Sequence, residues 1–532
     1  MELIALSWIK GPRVFRFLIL VTCLVLVPSG AWAQVHLTTA TQPPSGLAGT
    51  GSEFLTGNGF PSGTITPGSV TVSFASTCLA TPLTTTTATD VRTVLGSTRR
   101  VQYVIPASLA TGTYAVWVSD SSPAFTSLTC STLMVTNSTT TLAACIPSSS
   151  LAVALGPHVT AYVPNGCWSC GATGIQVVPI EGGGSPTSIA TPHVVNACSS
   201  NAVTGQTVCT ANNSDVYLIT GTTLNTTLTS GANAFASFSG GSCQNCGVAI
   251  DAAVNIAVLE EGFSPSPSAS AFQVLNLANN TFNPPFALQT VTSENISLDP
   301  IRNYILSPNE RGVYDLAQIG NAPSFGLSEF VGPSTGAFDN DSAGEDCTTG
   351  IALSAEEFTN NVFVADLTQA TFTPGSPAGT WTAPHSTLAM VTNYGFSAGT
   401  SGISVAPGST HLGVVTGEFG GNSFAVLALP STSGSGTPAI GDYAVARIPN
   451  SATCGGFFES GLDPHTVTAY TSPNNGKAFA VFAGYSGGAP ICLAVVDLAA
   501  VLAAPRGGSG LQANDVAAGN FPAGAVTYFP VH

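Results

Sequence analysis

Residues 247 to 277 hold three β-type runs in quick succession, and the same trio recurs along most of the chain. Gly247-Val-Ala-Ile-Asp251 leads to Val254-Asn-Ile-Ala-Val-Leu259, and after a polar interval comes Phe272-Gln-Val-Leu-Asn-Leu277, closed by the turn Ala278-Asn-Asn-Thr281. Short, β-branched and bounded by turn residues, these runs read as strands. Each is apolar on both faces, so a sheet built from them must be covered on both sides. Neighbouring copies of the same unit can supply that cover.

One trio precedes this unit: Val195-Asn-Ala-Cys198, Gly205-Gln-Thr-Val-Cys-Thr-Ala211 and Asp215-Val-Tyr-Leu-Ile219. Later units open at Asn295-Ile-Ser-Leu-Asp299, Gly350-Ile-Ala-Leu353, Gly402-Ile-Ser-Val405 and Thr466-Val-Thr-Ala-Tyr470. Openings spaced roughly 45 to 65 residues apart suit four-stranded propeller blades with variable loops. Taken together the units resemble the YVTN-type β-propeller repeat, in which a P-x-G-V-A-V-D strand is followed by a VYVAN strand and a V-x-V-I-D strand. The resemblance covers residues 145–532 and rests on recurrence. Six units are visible. Leu151-Ala-Val-Ala-Leu155 and Val159-Thr-Ala-Tyr-Val163 can build a seventh if Ala525-Val-Thr-Tyr-Phe529 returns to them from the C-terminus, which would leave no open sheet edge. Seven blades are expected, with six as the alternative.

Ahead of the repeats, residues 34–136 carry short strands with regular turn signals, the pattern of a β-sandwich. Gly51-Ser-Glu-Phe-Leu-Thr-Gly-Asn-Gly-Phe60 and Val104-Ile-Pro-Ala-Ser-Leu-Ala-Thr-Gly-Thr-Tyr114 resemble the G-x-x-F opening and the vP…l…G-x-Y motif of the immunoglobulin-like IPT/TIG family. That resemblance implies a spacer or binding module. Polar residues 137–144 read as the linker to the propeller. The expected fold is therefore all-β, an immunoglobulin-like sandwich followed by a β-propeller.

Residues 1–33 have the form of a secretory signal: Lys10, Arg13 and Arg16, an apolar run from Phe17 to Val27, then Ala31-Trp32-Ala33. The run is about half the length that a membrane-spanning helix needs, and no later stretch is long and apolar enough. A secreted, periplasmic or cell-surface protein is expected, with no membrane span. The chain carries 27 acidic against 11 basic residues, and three of the basic ones leave with the signal, so nucleic acid is excluded as a partner. Of 13 cysteines, Cys23 lies in the signal, and an even remainder in an exported chain favours disulfides. Cys78 with Cys130, Cys198 with Cys209, and Cys454 with Cys492 are the expected pairs. Spacing does not decide the partners of Cys145, Cys167, Cys170, Cys243, Cys246 and Cys347.

Few motifs point to chemistry. Gly484-Tyr-Ser-Gly-Gly488 matches G-x-S-x-G, but a nucleophile elbow at Ser486 needs a helix next, and Ile491-Cys-Leu-Ala-Val-Val-Asp497 is strand-like. Cys167-Trp-Ser-Cys170 and Cys243-Gln-Asn-Cys246 each precede a β-type stretch, so structural disulfides are preferred to a zinc site. Asp339, Asp341, Glu345 and Asp346 gather carboxylates that could take up calcium, against the alternative of a solvated acidic loop. No other cofactor is expected. At the channel mouth, aligning the blade openings sets Cys246, Glu294, Thr349, Ser401 and His465 at equivalent places, with Asp463 beside His465. Glu294, Asp463 and His465 are ionisable in a chain with only 7% charged residues, which makes them the binding candidates. A turn at Asp463-Pro464 with a strand-end His465 is the competing structural explanation. The expected function is non-catalytic binding or scaffolding of an extracellular protein or glycan ligand. The alternative is a propeller-class enzyme, a lactonase-like hydrolase or lyase.

Overall fold

The computed structural model describes residues 34–136 and 151–531, apart from 166–171, 229–246, 261–270, 288–295, 316–341, 374–379, 456–461 and shorter breaks. The signal segment 1–33 and the linker 137–144 lie outside the described residues.

In the first module one sheet holds Thr84–Thr87, Thr71–Ala75, Gly112–Ser121 and Ser131–Thr136, and the facing one holds Ser52–Asn58, Thr98–Val104 and Asp90–Leu95. Strand Ala40–Leu47 serves both, pairing in parallel with Ser131–Thr136 and antiparallel with Ser52–Asn58 at Gln42. Alternation sends Leu55, Val72, Phe74, Val101, Tyr103, Val116 and Val118 into one core. The Phe74 and Tyr103 rings meet edge-on at 5.6 Å. In the G-x-Y motif, the Tyr114 hydroxyl donates to the Ala110 carbonyl at 2.8 Å, tying the start of its strand to the preceding loop. Glu53 stands opposite Tyr103 inside this core, and burial pushes its carboxyl up to about 9, so it is neutral at ordinary pH.

Seven antiparallel blade sheets follow among the described residues, built from consecutive strands except in blade 5, where the small sheet of Thr371–Thr373 and Thr380–Thr382 comes before the last strand. Blade 1 comprises Ala152–Ala154, Thr160–Pro164, Ile175–Pro179 and Thr187–Ile189. Val195–Ser200 opens blade 2, Val248–Asp251 blade 3, Ser297–Asp299 blade 4, Ala343–Asp346 blade 5, Thr400–Val405 blade 6 and Leu462–Thr471 blade 7. Each first strand lies beside the first strand of the next blade, and that of blade 7 beside that of blade 1, so the ring is closed. Blade 4 shows three strands among the described residues.

The requirement read from the sequence is met between blades. Val208 and Leu218 of blade 2 pack on Ile250 and Leu259 of blade 3, and Val415 and Leu427 of blade 6 pack on Leu353 and Val364 of blade 5. The turn into the second strand is also repeated. It ends in a left-handed residue in blades 2, 3, 5, 6 and 7, namely Gly205, Asn255, Gly350, His411 and Gly476. Asn255 and His411, at φ 55° and 50°, are the two members that carry a Cβ there.

Two details differ from the sequence reading. Val526–Pro530 pairs with Ala489–Asp497 as the fourth strand of blade 7, not with blade 1. Blade 1 has outer strands of its own, so its edge is filled, and the ring closes by side chains alone: Leu151, Val153, Val159 and Val163 against Tyr470, Val481, Tyr485 and Val495. Blade 5 opens one strand earlier than expected, because Ile351–Ala355 is its second strand. Between its third and fourth strands, blade 7 makes a long excursion through helix Leu498–Leu502, whose Leu498 and Val501 join the core shared with blade 6. The excursion then covers the outer edge of blade 6, where Val445 donates to Asn514 at 2.9 Å and accepts from Val516 at 2.7 Å.

Deleting residues 526–532 should strip the outer edge from Cys492–Val496 in blade 7, and loss of a single cooperative melting transition with aggregation is expected. A truncated protein that stays monomeric on size exclusion and melts like the parent would refute this placement.

Candidate functional site

First strands run side by side in the same sense, so the ring has two unlike rims. One rim carries the turns from first to second strands. The other carries the starts of the first strands and the connections between second and third strands.

At the turn rim, polar side chains tie several blades to a neighbour. Asn201 of blade 2 accepts from Thr204 N within its own turn at 3.0 Å and donates to Asn255 of blade 3 at 2.8 Å. Asp346 of blade 5 accepts from Thr348 N at 3.1 Å and holds the Nδ1 of His411, in blade 6, at 2.6 Å. Glu181 of blade 1 accepts from Tyr470, Ser472 and Asn474 of blade 7 at 2.9, 2.7 and 2.7 Å, which locks the last blade to the first. Its carboxylate sits against a largely buried phenol, and desolvation with the Glu181 charge raises the Tyr470 pKa. The hydrogen bond from Asp346 raises the His411 pKa, against a smaller opposing effect of burial. On blade 3, Asp251 at the end of the first strand receives Arg100 from the sandwich module, an ion pair with side-chain exposures of 0% and 3%.

The opposite rim carries an oriented imidazole. His193, just before blade 2, meets Asp215 Oδ2 through Nδ1 at 2.6 Å, and Tyr217 donates its hydroxyl to the same carboxylate at 3.2 Å. Burial pushes the Tyr217 hydroxyl up to about 12, so it remains a donor. A proton held on Nδ1 by the carboxylate leaves Nε2 as an acceptor, and the His193 side chain is 42% exposed. The bland role of the same bonds is to pin the approach to blade 2 onto its second turn.

The residues singled out in the sequence fall in several places. Asp463 and His465 lie within strand Leu462–Thr471 where blade 7 begins, on the His193 rim. Glu294 and Cys246 lie outside the described residues. Thr349 sits in the turn of blade 5, on the opposite rim from His465, a consequence of the earlier start of that blade; Ser401 is buried within the first strand of blade 6. Asp339 and Asp341 lie outside the described residues, while Glu345 and Asp346 are buried within the first strand of blade 5 and so are not part of a solvated loop. Ser486 ends strand Ala478–Ser486, which pairs back on Ala489–Asp497, so a hairpin and not a helix follows it. Cys78 and Cys130, Cys198 and Cys209, and Cys454 and Cys492 are bonded, with Cα separations of 5.6, 4.1 and 5.6 Å. Cys347 is disulfide-bonded as well, while Cys145, Cys167, Cys170 and Cys243 lie outside the described residues. The turn-rim bonds were not singled out beforehand. Their one sequence signal is the Asp that closes Val-Ala-Ile-Asp251, Ile-Ser-Leu-Asp299 and Ala-Gly-Glu-Asp346.

No protein-family model matches the chain, and no curated protein matches it. Among solved structures it is similar to a chain of one described as the crystal structure of the mitotic checkpoint complex, at 10% identity and a TM-score of 0.42, over 65% of this chain and 88% of that one. So loose a superposition bears on neither the site nor the function.

The His411–Asp346 bond gives a signed pH effect. The folded pKa of His411 lies above its ordinary 6.5, so its stabilisation is complete below that value and is lost as pH rises through the folded pKa. His411→Asn keeps a residue that tolerates the left-handed turn and removes the titration. Melting of the wild type should fall more steeply between pH 6 and 8 than melting of His411→Asn; parallel profiles would contradict the assignment.

Proposed function

We propose that the protein is an exported binding scaffold whose ring presents the His193 rim to an extracellular or cell-surface ligand, a protein or a glycan. The observation that carries this reading is the partly exposed imidazole of His193, held by Asp215, on a rim where Asp463 and His465 also open blade 7. At the turn rim, Asn201, Asp346, Ser472 and Glu181 are taken up in holding blades together, and the sandwich module reaches Asp251 there. On the other rim, Asp463 and His465 open blade 7 and the imidazole of His193 meets solvent.

Export is supported by the form of residues 1–33 and by the disulfides. Among the described residues no helix is long and apolar enough to cross a membrane. Strong net acidity disfavours a nucleic-acid ligand. The enzyme reading has one observation on its side: an imidazole aligned by a buried carboxylate, as in His193–Asp215, is what a general base requires. Lactonase-like hydrolysis or a lyase reaction is the chemistry it would serve.

A thermal-shift screen of the mature protein against glycans, divalent ions and lactones separates the two. Stabilisation by a glycan is expected, lost in His465→Ala while the melting temperature without ligand is unchanged. Turnover of a lactone that His193→Ala removes would replace the scaffold reading with the enzymatic one.

A further inference from the structure

The sandwich strand Thr98–Val104 pairs with Ser52–Asn58 in a register that sets Thr56 opposite Arg100 and Phe54 opposite Gln102. Alternation turns Leu55, Val101 and Tyr103 into the sandwich core, so Phe54, Thr56 and Arg100 point the other way. An outward face of a free sandwich would be wet. These three residues are only 3%, 2% and 3% exposed, and Asp251 of blade 3 meets the guanidinium there. The guanidinium carbon also lies 5.4 Å from the centre of the Phe54 ring, within cation–π range.

We propose that Arg100 and Asp251 form a latch that holds the sandwich on the turn rim of blade 3, so that the two modules move as one rigid body. The charges belong to different modules, and Arg100, on the outward face of the sandwich, is buried only where the modules dock. Arg100 Nε and Nη1 and Thr56 Oγ1 have no hydrogen-bond partner. A buried pair so incompletely satisfied adds little net attraction, but a docking pose that leaves either charge facing the other module alone is heavily penalised. The pair therefore selects one docking pose, and the burial around Phe54 holds it. At the corresponding strand end, Asn201 of blade 2 and Asp346 of blade 5 bond the next blade, and Asp251 of blade 3 reaches outside the ring. The sandwich is thus a fixed cap on one rim and not a tethered spacer, whatever the other rim binds.

The test uses the full chain with a protease site placed in the linker 137–144 and cleaved after folding. The wild-type fragments should co-elute on native size exclusion at micromolar concentration. Arg100→Met and Asp251→Asn should each weaken their association by about a hundredfold or more, because each breaks a charge pair buried between the modules. The double variant should recover part of that loss. Separate elution of the wild-type fragments, or single variants that hold together as tightly as the wild type, would overturn the latch. Small-angle scattering of uncut wild type is a second reading, free of any substitution. One fixed distance between modules is expected, and a broad distribution of distances would overturn it.

Discussion

Among the described residues, the inner strands of the blades are buried on both faces. Val414 and Val415, adjacent on one strand of blade 6, point to opposite sides, and both are fully buried, one in the core shared with blade 7 and the other in the core shared with blade 5. A sheet of this kind is stable only between two others, and the first and last can be covered on both sides only if they meet. Ring closure is thus the condition on which the fold stands. Here it is met by apolar side chains between blades 7 and 1 and by the Glu181 carboxylate, with three donors from blade 7, and not by exchanging a strand between the chain ends.

Charge is scarce, and the described structure spends much of it in burial. Asp346 holds its own turn and the next blade, Asp251 holds the sandwich, and Glu181 closes the ring. Glu53 follows a different course: with no opposite charge beside it in the sandwich core, its carboxyl stays neutral. Polar side chains placed between rigid sheets fix how the sheets are set against each other more than how strongly they adhere. The candidates for binding lie on the opposite rim, where Thr400 bonds blade 5 and Tyr485 bonds blade 1.

The sequence made the architecture legible because the signal was periodic. Recurring β-branched trios such as Val-Ala-Ile-Asp251 and Ile-Ser-Leu-Asp299 placed the blades, and the spacing of Cys198 and Cys209 foretold a bond across neighbouring strands. The first strand of blade 5, Ala-Gly-Glu-Asp346, looks in the sequence like part of an acidic loop, so the blade reads as starting one strand later; Gly344 there packs against Ser404 and Val405 of blade 6. The destination of Val526–Pro530 was misjudged because strand pattern alone does not say which edge is vacant. Asp463 and His465 stand out in the sequence as ionisable residues at a blade opening, but the latch does not show there. Nothing local to Arg100 or Asp251 distinguishes them, and their meeting is set by how two modules pack across 151 residues of sequence.

Amide hydrogen exchange on the intact mature protein tests the closed ring most directly. If blades 7 and 1 cover each other as described, amides of Thr160–Pro164 and Ala478–Ser486 will be as strongly protected as those of Leu412–Gly417 in blade 6. Fast exchange in the first and last blades, with slow exchange between them, would show an open array and contradict the account.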